Sequence, residues 1–186
     1  MNPGMTLALA GAVELLDRSL AYTRGALALV TPDRLGDPTP CAEWDLAALL
    51  HHMDDALDAF TEAATGSVSL VPTTEAPRLE SIRAKACALL GWWCEHPPPT
   101  VQVGGAALPA DLLVGTAALE ITVHGWDVHQ GLGTGQPIPE ELARVLLPVA
   151  GVTVGDRDRP LRFAAPVPVH DDAPASRRLL GLLGRT

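Results

Sequence analysis

Hydrophobic side chains recur at intervals of three and four residues through most of the sequence, which is the spacing of amphipathic α-helices. Prolines and glycines interrupt this pattern and predict where each helix begins and ends. The predicted helices span about residues 6–30, 45–65, 77–95, 109–132, 139–149 and 175–183. The four longest of them predict an all-α protein, an antiparallel four-helix bundle followed by a short C-terminal extension.

The segments between the predicted helices are rich in proline, glycine and short polar residues. Residues 31–44 contain three prolines and one glycine and are predicted to form a loop. A second, longer loop is predicted after Gly66. Residues 100–103 are expected to form a short extended piece that turns at Gly104-Gly105.

The length and composition predict a single domain. The chain has 186 residues, of which 47% are hydrophobic, and this is enough to bury a sizeable core. We expect the helical bundle to occupy about residues 6–150 and a C-terminal tail to occupy about residues 151–186. Within that tail, the proline-rich residues 162–169 are expected to form an extended segment.

The charge and the cysteines limit the classes of partner and the compartment. Acidic residues outnumber basic ones by 22 to 13, and no basic stripe is visible, so nucleic acid and anionic membranes are not expected as partners. The apolar N-terminal segment is expected to begin a helix, not to be a secretion signal, and no hydrophobic run reaches the ~18 residues of a membrane span. Cys41, Cys87 and Cys94 are widely spaced, which predicts reduced thiols in a cytoplasmic protein. Cys41 precedes a helix start, where thiolate character can rise.

The second predicted helix contains two adjacent histidines with different surroundings. On a wheel of ~100° per residue, one hydrophobic stripe faces the core and contains Leu46, Leu49, Leu50, Met53, Leu57 and Phe60. The opposite face carries His51 together with Asp54, Asp55, Asp58 and Glu62. We therefore expect His51 to be solvated. His52 lies beside the stripe and is flanked by alanines, which leave room for a metal ion and a substrate.

The fourth predicted helix contains Glu120 and His124 in an otherwise apolar stretch. Residues four positions apart lie on one face of a helix, one turn from each other. A buried carboxylate is unfavourable unless it has a partner, and the neighbouring imidazole suggests that the partner is a divalent metal ion. Because a catalytic metal usually has three protein ligands and an open position, His52 is the predicted third ligand.

A second interpretation of Glu120 and His124 needs no metal. A buried hydrogen bond between the two side chains could stabilise a helical bundle by itself. Asp127 falls close to Glu120 on the helical wheel and is a candidate for orienting an imidazole ligand. It is equally compatible with a helix cap or a salt bridge near the helix end.

Two segments of the chain also carry a family resemblance. Residues 38–52 read Pro-Thr-Pro-Cys-Ala-Glu-Trp-Asp-Leu-Ala-Ala-Leu-Leu-His-His, and residues 119–127 read Leu-Glu-Ile-Thr-Val-His-Gly-Trp-Asp. Both resemble the signatures of the mycothiol-dependent maleylpyruvate isomerase family, which belongs to the wider DinB-like metalloprotein superfamily. The tail, with Phe-Ala-Ala-Pro-Val-Pro-Val at residues 163–169, is similar to that of an actinobacterial subgroup, and the resemblance covers nearly the whole chain.

This resemblance implies a DinB-like four-helix bundle that holds a divalent metal ion through His52, Glu120 and His124. Zinc is the usual metal of the family, and nickel, iron and manganese also suit a set of two histidines and one glutamate. The resemblance further implies a thiol-dependent transferase or isomerase, with mycothiol or another low-molecular-weight thiol as cosubstrate. Some members of the family are tailoring enzymes in natural-product pathways.

Several functions stay open at this point. Water in place of the thiol would give a hydrolase, a lyase is a further alternative, and the bundle could instead be a non-catalytic metal-binding or dimerising scaffold. We expect a small-molecule substrate, with Trp44 and Trp126 as candidate contacts. The composition allows a homodimer. The sequence identifies neither the substrate nor a catalytic side chain.

Overall fold

The computed structural model describes residues 6–41, 43–67, 77–159 and 163–185. Within these ranges the protein is mostly α-helical, with six α-helices and one small two-stranded sheet. The helices are α1 (Leu7–Leu27), α2 (Leu46–Thr65), α3 (Arg78–Glu95), α4 (Ala110–Gly131), α5 (Glu140–Thr153) and α6 (Ala175–Leu182). Each corresponds to one predicted helix. None of them combines the length and the hydropathy that crossing a membrane requires.

Side-chain caps determine where the first two helices begin. The hydroxyl of Thr6 accepts a hydrogen bond from the Leu9 N–H at 3.1 Å at the start of α1. The carboxylate of Asp45 accepts one from the Ala48 N–H at 2.8 Å at the start of α2, which is where the second predicted helix begins. Each cap satisfies one of the backbone donors that a first helical turn leaves free.

The end of α1 was predicted near Val30, but the helix ends at Leu27. Thr31 has an extended backbone, and Pro32 begins a short 3₁₀ turn that ends at Arg34. A residue before proline is disfavoured in the α conformation, so the helix must end upstream of Thr31.

The predicted extended piece is strand β1 (Thr100–Val103), and it pairs with a second strand that the sequence did not predict, β2 (Ala106–Pro109). The two strands are antiparallel and are joined by Gly104 and Gly105, which have φ of +56° and +82°. Glycine adopts such values without the steric penalty of a side chain, as a two-residue hairpin requires. The sequence of β2 shows no alternation of apolar and polar residues, which is why it was missed.

The C-terminal elements differ from the prediction in their bounds. Helix α5 was expected to end at residue 149, but it continues to Thr153 although Pro148 lies inside it. Packing explains the continuation, since Ala150 is fully buried. Residues 163–169 form neither helix nor strand, and the Val167 N–H donates to the Gly181 carbonyl of α6 at 2.8 Å. Arg162 and most of the predicted loop after Gly66 lie outside the described residues.

Helix α4 is buried on most sides, because α1, α2 and α5 all pack against it. The approach of α1 is especially close at Gly125. A Cβ atom there would overlap the hydroxyl of Thr23 and lie 3.1 Å from its Cα. The same hydroxyl donates to the Ile121 carbonyl at 2.8 Å. Glycine at this position therefore lets the two helices come together beside the site.

The predicted core stripe of α2 is buried at five positions, Leu46, Leu49, Leu50, Met53 and Leu57, and Phe60 is half-buried. The polar face differs from the prediction at one residue. Asp54 was placed on the solvated face, but its side chain is 1% exposed and bonds to Arg78, Ser81 and Lys85. All three partners belong to α3, which packs against this side of α2. A helical wheel cannot show which polar side a neighbouring helix will cover.

Candidate metal centre

The side chains of His52 and Glu120 meet between α2 and α4. The Nε2 atom of His52 lies 2.8 Å from Oε1 of Glu120. His52 lies beside the buried stripe of α2, and Glu120 lies on the side of α4 that α2 covers. Helix packing therefore joins two residues that are 68 positions apart in the chain.

His124 completes the group from one turn further along α4. Its Nε2 atom lies 3.0 Å from the same Oε1 atom of Glu120. One donor atom from each of the three side chains lies within 4.8 Å of the others. A first-row metal ion at about 2.0–2.2 Å from its nitrogen and oxygen ligands holds adjacent donors about 2.8–3.6 Å apart, for angles from octahedral to tetrahedral. The two measured distances are close to that range, so these residues fit a divalent cation.

The electrostatics of the group follow from its burial and its internal pairing. Burial raises the pKa of Glu120, but His124 and His52 outweigh this and hold the pKa below its usual range. Burial lowers the pKa of His124, but Glu120 and Asp127 outweigh this and raise it well above its usual value. Glu120 is therefore an anionic donor at neutral pH. A cation must compete with protons for the nitrogens of His124.

Asp127 orients the ring of His124 from the side opposite Glu120. Its Oδ2 atom lies 2.9 Å from Nδ1 of His124. When Nδ1 carries its proton and donates it to this carboxylate, the lone pair of Nε2 faces Glu120 and His52. The sequence left Asp127 open between a cap, a salt bridge and an orienting role. In the structure it contacts His124 directly and also forms a salt bridge, with Arg185.

Arg185 is the part of the site that sequence reasoning missed. It follows α6 and donates two hydrogen bonds to the two carboxylate oxygens of Asp127, each at 2.8 Å. Burial raises the pKa of Asp127, but Arg185 and His124 outweigh it and lower that pKa to about 2. The sequence contained one indication of this position: Arg185 directly follows an apolar stretch of leucine and glycine. Nothing in that stretch indicates which carboxylate the arginine binds.

Cys41, His124 and Asp127 also bring three donor atoms within 4.8 Å of one another. The Cys41 thiol donates to Oδ2 of Asp127 at 3.2 Å. However, the guanidinium of Arg185 already binds both oxygens of Asp127 and lies 3.6 Å from the Cys41 sulfur. A second cation there would be repelled by this buried positive charge. The group of His52, Glu120 and His124 is therefore the better cation site.

The other candidate residues from the sequence, one histidine and two tryptophans, have clearly different positions in the structure. His51 is 59% exposed and pairs with Asp55 at 2.9 Å, as expected for a solvated residue. Trp44 lies over the centre, with its ring centroid 4.8 Å from that of His52 and 6.4 Å from that of His124. Trp126 is buried in the core.

A cavity of about 490 Å³ reaches the centre from between α1, α2 and α3. Glu120, Ile121 and His124 form its floor on α4. Most of the wall is apolar, formed by Leu20, Leu27, Met53, Leu57, Phe60, Ile82, Ala86 and Leu90. Trp44 and Trp126 are not among the lining residues of this cavity. A substrate contact at Trp44, beside the two histidine rings, stays a prediction. Two of the candidate ligands thus face a space that is large enough for a small molecule.

No protein-family model and no solved structure matches the chain. Two relatives are similar to it, both uncharacterized proteins of Mycobacterium tuberculosis, from two different strains. Each is 27% identical over 165 residues, which covers 86% of this chain and 90% of the relative. The similarity thus extends over nearly the full length of each relative, and their names state no activity.

Proposed function

We propose that this protein is a metal-dependent enzyme of the mycothiol-dependent maleylpyruvate isomerase type. In this proposal, His52, Glu120 and His124 hold one divalent ion, most simply zinc. The reaction is the transfer of a low-molecular-weight thiol to a small electrophile, or a thiol-assisted isomerisation of it. The observation on which the proposal rests is the convergence of three donor atoms beside an apolar cavity.

The DinB-like four-helix fold is part of the same proposal. It is supported by the contacts among the four longest helices, in which α1 packs on α4, α4 on α2, α2 on α3, and α3 on α1. Such a closed ring of contacts is expected of four helices around a shared core. The proposed ligands project into this core from α2 and α4.

The surroundings of the three ligands favour catalysis over a purely structural metal site. A structural zinc site is usually closed by four protein ligands, whereas a catalytic site has three and an open position. Glu120 and His124 line the cavity, and the side chains of His52 and Glu120 are 37% and 26% exposed. A small molecule could therefore approach the centre without displacing a protein ligand.

The residues around the three ligands have distinct roles in the proposed reaction. The bound ion would lower the pKa of a thiol or water in its open position. Asp127 holds the ring of His124 in place through Nδ1. Trp44 covers the rings of both histidines and limits the access of water from that side. The apolar walls of the cavity receive the electrophile and keep it next to the nucleophile.

The experiment that tests this proposal compares zinc-loaded and metal-free protein with a model electrophile, chlorodinitrobenzene. We expect adduct formation when mycothiol is present, and no acceleration with metal-free protein or with Glu120→Gln. His51→Ala is the matched control and should keep full activity. Turnover without any thiol would indicate a hydrolase. Tight zinc binding with no acceleration of several model electrophiles would favour a non-catalytic scaffold.

A further inference from the structure

The mouth of the cavity has a charge pattern that differs from that of the chain. Three charged residues line it at exposed positions, Asp17 and Arg24 on α1 and Arg83 on α3. Their formal charges leave one positive charge in excess, although the chain as a whole has a net charge of −9. Neither guanidinium forms an ion pair with another residue in the described ranges. Both are therefore free to bind an anion that enters the cavity.

The cavity is chemically different at its two ends. Its floor consists of Glu120, Ile121 and His124, and two of these are proposed metal ligands. Its middle is formed by aliphatic and aromatic side chains, with Met53, Leu57 and Phe60 on α2 facing Ile82 and Ala86 on α3. A ligand that fills this space has to be apolar along its length. A polar chain in the middle of the cavity would lose hydrogen bonds to water without replacing them.

We infer that the substrate is an amphipathic carboxylate whose reacting group lies at the end remote from the carboxylate. The carboxylate binds Arg24 and Arg83 at the mouth, the apolar body fills the cavity, and the remote end reaches the floor beside Glu120 and His124. This inference rests on the proposed function, because it assigns the reacting end to the metal centre. It also makes Arg24 and Arg83 the residues that determine specificity for a charged substrate.

The test uses three probes with the same chain and different head groups, namely octanoate, octanol and octylammonium. Binding is measured by calorimetry with the full-length protein in metal-free and zinc-loaded forms. We expect octanoate to bind the metal-free protein about 3–5-fold more tightly than octanol, as for an exposed ion pair of up to about 1 kcal/mol. Octylammonium should bind most weakly.

Two sets of variants separate the head group from the apolar body. In the double variant Arg24→Gln/Arg83→Gln, octanoate should bind no better than octanol, while the affinity for octanol stays unchanged. Arg178→Gln is the matched control, because Arg178 is exposed on α6 and does not line the cavity. Ala86→Phe should weaken binding of octanoate and octanol alike, by about tenfold or more, without changing the zinc content.

The opposite results would overturn the inference. Equal binding of octanoate and octanol, or tightest binding of octylammonium, would exclude a carboxylate at the mouth. A preference for octanoate that survives the double variant but disappears on removal of zinc would place the carboxylate on the metal. Because the first comparison uses metal-free protein, it stands even if the metal-centre proposal fails. The absence of a carboxylate preference in the unaltered protein would overturn only this inference, because zinc content and the reaction with chlorodinitrobenzene are measured without a carboxylate.

Discussion

Both carboxylate oxygens of Asp127 accept a hydrogen bond from the guanidinium of Arg185, each at 2.8 Å. The pair is nearly inaccessible, with side-chain exposures of 0% for Asp127 and 11% for Arg185. Because Asp127 also contacts His124, this ion pair joins the C-terminal end of the chain to the candidate metal centre.

Replacement of Arg185 should destabilise the protein strongly. Arg185→Met leaves the buried carboxylate of Asp127 without its main partner, and breaking such a pair costs about 3–5 kcal/mol. Arg185→Lys should restore only part of this, because an ammonium cannot bind both oxygens in the same planar geometry. Urea unfolding measures the difference. Arg178→Met on exposed α6 surface is the control and should change stability by less than about 0.5 kcal/mol. Equal stabilities of the two variants would contradict the structural role of Arg185.

Removal of a proposed ligand should remove the metal. His52→Ala and Glu120→Ala each leave two of three protein donors, so zinc occupancy after purification without chelators should fall strongly. Elemental analysis of the purified proteins measures it. His51→Ala provides a control at the adjacent position, because His51 is exposed and pairs with Asp55 instead. If His51→Ala lost as much zinc as His52→Ala, the assignment of the third ligand would be wrong.

The orienting role of Asp127 can be measured separately. Asp127→Asn removes the anionic acceptor for Nδ1 of His124, and loss of such a partner typically lowers metal affinity about 10–100-fold. Competition with a chelating dye gives the affinity for zinc. Asp172→Asn, at a site that is 92% exposed, should leave it unchanged. An unaltered affinity in a folded Asp127→Asn protein would show that the ring of His124 is held by other contacts.

Two glycines of α4 should respond oppositely to alanine. At Gly125, the added methyl group would overlap Thr23 of α1, and overpacking of this kind costs about 1–3 kcal/mol. At Gly115, it would meet only the methyl groups of Val149 at 3.5 Å, which is an ordinary contact. Gly115→Ala should therefore be neutral or stabilise the helix by up to about 1 kcal/mol. Thermal unfolding of both variants tests the close packing of α1 on α4, which would be refuted if Gly125→Ala were as stable as Gly115→Ala.

Asp54 should contribute stability that depends on pH. Burial raises its pKa, but Ser81, Lys85 and Arg78 outweigh burial and hold the pKa below its ordinary value of 3.8. A lowered native pKa means that the charged form stabilises the fold above pH 3.8 and that this contribution disappears as the pH falls through the native pKa. At neutral pH, Asp54→Asn should cost about 1.5–3 kcal/mol.

Asp58→Asn is the matched control for Asp54, because the side chain of Asp58 is 53% exposed and pairs with the same Lys85. It should cost less than about 1 kcal/mol. Urea unfolding at several pH values should show the penalty of Asp54→Asn shrinking in acid. A penalty that does not depend on pH would mean that the charge of Asp54 contributes nothing.

Some features of this protein could be predicted from the sequence because they depend on neighbours along the chain. Helix geometry alone places Glu120 and His124 on one face. The prediction of the buried stripe of α2 was correct, and the same helical wheel placed His52 beside that stripe. The cap at Asp45 is also local, since the side chain bonds to the Ala48 N–H three residues later.

Other features depend on which helices pack together, and periodicity does not encode that choice. Asp54 has the pattern of a solvated residue until α3 covers it, and Arg185 shows no partner until the C-terminal end folds onto Asp127. The hairpin strand β2 exists because a turn at two glycines brings it against β1. The sequence by itself determined the helices and the residue types that suit a metal ion. Only the tertiary structure brought His52 to Glu120 and His124, since the distance between them is decided by the packing of two helices that are distant in sequence.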